Sequence, residues 1–194
     1  MKKLLSAFTV AFASAAFLAA CGSSESTQDA ADQKLRVYTS TFATAAIARE
    51  IGGTDIDVQM IVPPGADPHS YEPTSKQLTE IAQGDLFLLT GTTLEPYSKK
   101  IKASLKGNDV RFVETSKGID LLEANATLHE HEGHTDDHAA EEHDHGKFDP
   151  HVWLDPNNAK VMAQSITTAL AKEVPAKKAT FEKNLTAFNG EADK

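Results

Sequence analysis

From Leu35 onward, runs of strand character alternate with runs of helical character. Leu35-Arg36-Val37-Tyr38-Thr39 reads as a strand, and Phe42 to Ile51 as a helix with Ser40 or Thr41 as its cap and Gly52-Gly53 as its stop. Ile56 to Val62 alternates apolar and polar residues before it ends at Pro63-Pro64-Gly65. A second helix is predicted from Thr74 to Gln83, where Thr74 and Gln77 form a capping box and Leu78, Ile81 and Ala82 share one face. Asp85 to Thr90 is a continuous apolar run, the pattern of a strand buried on both faces of a parallel sheet. Pro96 then stands at a first helical position, with Tyr97, Ile101 and Leu105 as a stripe and Gly107 as terminator, and Val110 to Thr115 supplies a fourth strand.

The order β-α-β-α-β-α-β, joined by right-handed crossovers, predicts an α/β fold: a four-stranded parallel sheet with helices on both faces. Ligands of such sheets collect at the carboxyl ends of the strands. Two helices close the chain. Asp155 and Pro156 cap the first, whose Met162, Ile166, Ala169 and Leu170 form an apolar face that ends near Val174-Pro175. The second starts at about Ala176, carries Phe181, Leu185 and Phe188 at helical spacing, and runs to Lys194 without a firm stop, as a helix cut mid-pattern would.

Composition narrows the partners. The 194 residues are 40% hydrophobic and 24% charged, which fits one globular domain behind a leader and leaves no room for two full lobes. Net charge is −9, or −11 once Lys2 and Lys3 leave with the leader, so a nucleic-acid partner is disfavoured for want of a basic footprint. The single cysteine excludes a disulfide framework and any multi-cysteine metal site.

That cysteine has a place of its own. Residues 1–20 form a signal peptide, with two lysines, an apolar run from Leu4 to Leu18 and small residues at its end. Leu18-Ala19-Ala20-Cys21 resembles a bacterial lipobox, in which the cysteine is lipidated and becomes the mature N-terminus. Cys21 would then anchor the chain to the membrane, and residues 21–34, almost without apolar content, would be a flexible tether. The body is therefore expected to be extracytoplasmic and lipid-anchored.

Six of the eight histidines, His129, His131, His134, His138, His143 and His145, crowd the stretch from His129 to His145, which also holds seven acids and no Lys or Arg. Such a segment has nothing to bury, so 129–147 is expected to be a surface loop, and its imidazoles and carboxylates suit weak, exchangeable capture of zinc-like ions. A solvated linker or a pH sensor is the alternative. The other two histidines lie in matching turns, Asp67-Pro68-His69 and Asp149-Pro150-His151. Proline fixes φ and removes a donor, so each turn aims its imidazole with little freedom to lose on binding. One turn follows the second strand and the other lies in the connection after the fourth, so both are expected at the carboxyl edge of the sheet.

With these residues in view, the chain resembles the metal-binding lipoproteins that deliver zinc or manganese to bacterial ABC importers. The resemblance rests on the lipobox, PPGADPHSYEP before a capped helix, DLFLLTG, the histidine-rich loop, and DPHVWLDP with its following helix. It implies two α/β lobes joined by a long helix, with metal held in the cleft between them and an ABC permease as partner. His69 and His151 would be the first two of four metal ligands. The zinc branch of the family is the one that usually carries such a loop, which makes Zn2+ the expected metal, with Mn2+ as rival. On this reading residues 35–175 are the first lobe and 176–194 the start of the linking helix, and the second lobe, source of the other two ligands, is absent. Glu72, Asp67, Asp149 and Asp155 are nearby candidates to complete the site, although Asp155 is expected to cap its helix and the two-histidine site alone to bind poorly.

Two other classes compete with metal capture. A zinc enzyme needs an open metal position and a general base, and the chain has no His-Glu-x-x-His helix, no Gly-x-Ser-x-Gly elbow and no phosphate-cradling glycine loop. A surface adhesin would expose a sizeable apolar patch, for which Trp153 and a few tyrosines are the available residues, and Trp153 is expected to pack between helix and sheet beside His151.

Overall fold

The computed structural model describes residues 34–91, 93–123 and 148–194. Among them four strands form one parallel sheet: β1 (Leu35–Thr39), β2 (Ile56–Met60), β3 (Leu86–Leu89) and β4 (Arg111–Glu114). Their order is β2-β1-β3-β4, with Val37 paired to Val58 on one side and to Leu86 on the other, and Leu88 paired to Val113. From β1 the chain winds outward in both directions, so the carboxyl ends of β1 and β3 flank the point where the winding reverses.

Strand alternation divides the interior in two. Val37, Leu86 and Leu88 face α1 (Phe42–Gly52), α4 (Pro156–Glu173) and α5 (Lys178–Ala192), where Ile47, Ile51, Met162, Ile166, Leu170 and Phe181 complete one core. Tyr38, Phe87 and Leu89 point to the opposite face, where α2 (Ser75–Ile81) adds Ile81, α3 (Ser98–Ser104) adds Ile101, and Tyr97 joins them from just before α3. Each fully buried side chain of this size contributes about 1.5–3 kcal/mol. β3 is buried at all four positions, as its unbroken apolar run predicts.

Local sequence sets the element ends. Thr41 Oγ1 accepts from the Thr44 N–H at 3.3 Å to cap α1, and Gly53, at φ +56°, ends it. The capping box of α2 forms in both directions, Gln77 N–H to Thr74 Oγ1 at 3.2 Å and Thr74 N–H to Gln77 Oε1 at 2.9 Å. Asp155 Oδ1 accepts from the Asn157 N–H at 2.8 Å, and Pro156 opens α4. Among the described residues no helix is long and apolar enough to cross a membrane.

Several expected bounds move. β2 stops at Met60, not Val62, and the Ile61 N–H just beyond it still donates to the Thr39 carbonyl at 2.9 Å. α2 closes at Ile81 and β4 runs only from Arg111 to Glu114. Pro96 is not the first residue of α3; it lies in a turn, and the helix begins at Ser98. Just before Pro96, the Glu95 side chain turns back to accept from the Thr90 and Gly91 N–H groups at the end of β3. The last helix begins at Lys178 after a short 3-10 turn over Pro175–Lys177.

Candidate metal centre

Both Asp-Pro-His turns form at the carboxyl edge of the sheet and are built alike. Asp67 Oδ1 accepts from the His69 N–H at 2.9 Å, and Asp67 Oδ2 from the Ser70 hydroxyl at 3.0 Å. Asp149 Oδ1 accepts from the His151 N–H at 2.9 Å. A residue before proline is pushed to extended backbone, and from there an aspartate carboxylate reaches the N–H two residues on. Asp149 also meets the His151 ring, its Oδ1 lying 2.8 Å from Nδ1. A carboxylate on Nδ1 fixes tautomer and ring orientation and leaves Nε2 as the nitrogen a metal would take.

The two imidazoles converge. Their centroids are 5.6 Å apart with ring planes at 66°. Two imidazole nitrogens at about 2.0–2.1 Å from one tetrahedral zinc put their ring centroids about 5 Å apart, so the observed spacing suits a shared ion after a small adjustment.

The elements behind the turns hold them in place. Gln77 ties the start of α2 to the loop that carries His69, its Nε2 donating to the Ile61 carbonyl at 2.7 Å. Behind His151 the chain enters a 3-10 turn, Val152–Leu154, with Val152 buried, and then α4. Trp153 lies beside His151, as expected, and packs against the first core. It is half-buried at the edge, its ring 5.4 Å from His151 and 6.2 Å from Phe42, both edge to face. Trp153 and Phe42 line an apolar groove of about 410 Å3 with Met60, Val62 and Pro68. Phe42 is 67% exposed.

The other candidate ligands have other partners. Asp155 caps α4 as expected, and Glu72 pairs with Lys100 at 3.1 Å on the surface. Among the described residues no group of three or more His, Cys, Asp or Glu side chains is gathered to hold an ion. Cys21 and the loop histidines His129, His131, His134, His138, His143 and His145 lie outside the described residues. The ends of their segment are pinned, since Glu123 and Phe148 form an antiparallel bridge and the Asp149 N–H donates to Leu122 at 2.9 Å. The neck of the histidine-rich segment thus abuts the His151 turn.

One residue of this edge escapes sequence reasoning. Glu95 is fully buried at the reversal point, where it accepts from the Ser40 hydroxyl after β1 and from the Thr90 and Gly91 N–H groups after β3, the last two at 3.0 and 2.7 Å. Burial pushes its pKa up, and the hydrogen bonds from Ser40, Gly91 and Thr90 oppose that rise. Beside it the hydroxyls of Thr41, Thr44 and Thr90 contact one another at 3.0–3.1 Å. A glutamate after an apolar strand gives no signal of such distant partners.

Comparison with known proteins settles the family. The family described as "Zinc-uptake complex component A periplasmic" matches residues 37–194. The chain belongs to it. By that description the family is a component of a zinc-uptake complex, and it is not a family of enzymes. The zinc-binding lipoprotein AdcA of Streptococcus pneumoniae is 32% identical over 188 residues, which cover 97% of this chain and 35% of AdcA. The manganese ABC transporter substrate-binding lipoprotein scaA of Streptococcus gordonii is 32% identical over 176 residues, 88% of this chain and 52% of scaA. The crystal structure of Zn(II)-bound AdcA superposes with a TM-score of 0.68 at 26% identity, covering 83% of this chain and 31% of that one. The chain therefore spans between about a third and about half of the length of these relatives.

Proposed function

We propose that the chain is the first lobe of an extracytoplasmic binding protein that captures zinc and hands it to an ABC-type permease, with His69 and His151 as two of its metal ligands. What supports this most is the pair of matching turns that bring two imidazoles to 5.6 Å at the edge where α/β sheets bind ligands. Asp149 is then the carboxylate that orients His151. Imidazole donors favour zinc over manganese, which prefers oxygen. In this proposal the missing half of the coordination sphere comes from a second lobe beyond a linking helix that starts near residue 176. The histidine-rich loop is an accessory zinc-binding segment whose neck abuts the His151 turn, and Cys21, lipidated, ties the protein to the membrane through the tether of residues 21–34.

X-ray absorption at the zinc edge tests the ligand set, on the full chain with the six loop histidines replaced by alanine. The proposal expects two imidazoles and light oxygen donors at the bound zinc. A zinc with no imidazole neighbours would overturn it.

A further inference from the structure

The rings of Phe42, Trp153, His151 and His69 form one row at the carboxyl edge, each edge to face with the next at centroid distances of 6.2, 5.4 and 5.6 Å. The row has a rigid root. Phe42 opens α1 directly after its cap Thr41, whose hydroxyl contacts that of Thr90 at 3.1 Å, and Ser40 before it is bonded to the buried Glu95. Phe42 is exposed, and its ring meets Trp153 edge to face. Trp153 packs along the border of the first core and turns the rest of its ring to His151. His151 is thus held from three directions: Asp149 at Nδ1, Trp153 on one side and His69 across the site.

We propose that Trp153, braced by Phe42, is a positioning residue for metal capture, walling the His151 imidazole into the orientation that meets His69. A ligand ring fixed before the ion arrives has less rotamer freedom to lose, and an aromatic wall also limits the water that competes for the metal. The inference rests on the reading of His151 as a ligand.

The test uses the full chain with the six loop histidines replaced by alanine, and zinc affinity is read by competition with a chromophoric chelator. Trp153→Leu is expected to weaken zinc about three- to tenfold while the metal-free melting curve stays near that of the parent, and Trp153→Phe, which keeps a ring, to recover most of that loss. Trp153 is the single tryptophan of the chain, so its emission in the parent should shift as zinc saturates the site, and the shift should vanish in His151→Ala. The emission titration needs no Trp153 variant and stands even where Trp153→Leu fails to fold. Parental affinity in Trp153→Leu, or flat emission while a His151-dependent site fills, overturns the positioning role. Parental affinity in His151→Ala overturns instead the ligand reading beneath it.

Discussion

His69 and His151, carried by loops that follow β2 and β4 at opposite edges of the sheet, face each other across 5.6 Å. Two similar local devices underlie the convergence. Each Asp-Pro pair fixes the turn and each aspartate holds the histidine's own N–H, which leaves the imidazole little backbone freedom.

Asp149 serves His151 twice, through its N–H and through Nδ1. Asp149→Ala removes the acceptor that sets the tautomer, and zinc affinity should fall by about tenfold to a hundredfold. Chelator competition reads it, and an unchanged affinity would show that His151 needs no orienting carboxylate.

Asp155 lies close in sequence to His151 but is engaged at the start of α4. Asp155→Ala should cost about 1 kcal/mol of stability in denaturant unfolding and leave zinc affinity as it was. A loss of binding without a loss of stability would make Asp155 a ligand.

Glu95 joins the ends of β1 and β3 from inside. In Glu95→Gln one amide nitrogen must face the Thr90 or the Gly91 N–H, and an unsatisfied buried donor costs about 1–3 kcal/mol. Because burial raises the Glu95 pKa, the folded chain holds that proton more tightly than the unfolded one. Its contribution is full below the ordinary carboxylate range and declines as pH rises through the raised value. The deficit of Glu95→Gln should therefore be largest in acid and shrink toward neutral pH, as stability measured across that range would record. A deficit that grows with pH would mean that the carboxylate is favoured in its ionised form.

Between metals, donor chemistry sets the order. The chain should hold zinc at least about tenfold more tightly than manganese, because affinity for nitrogen donors rises along the series from manganese to copper and remains high at zinc. Parallel titrations with the two ions measure the ratio, and equal affinities would point to oxygen ligands at the site.

Much of this architecture is legible in the sequence, for stated reasons. The Thr74–Gln77 box, the Asp155-Pro156 cap and the Asp-Pro-His turns are short-range devices in which one residue's side chain meets backbone two or three positions away. The apolar run of β3 reports burial on both faces directly. Long-range partners leave no such trace. Glu95 reaches from the end of β3 to Ser40 at the end of β1, a partner far away in sequence. Trp153 is found beside His151, as expected, but its edge-to-face contact with Phe42, far away in sequence, leaves no local trace. Gln77 is visible as a cap, but its second bond to Ile61, which steadies the His69 loop, is visible only in three dimensions.

The central claim is that His69 and His151 act on one metal ion. Calorimetric zinc titration of the full chain, with the loop histidines replaced by alanine, compares the parent with His69→Ala, His151→Ala and the double variant. The account predicts one zinc site that either single substitution weakens severely, with little further loss in the double variant. Independent and additive losses, or a zinc site that survives the double substitution, would contradict it.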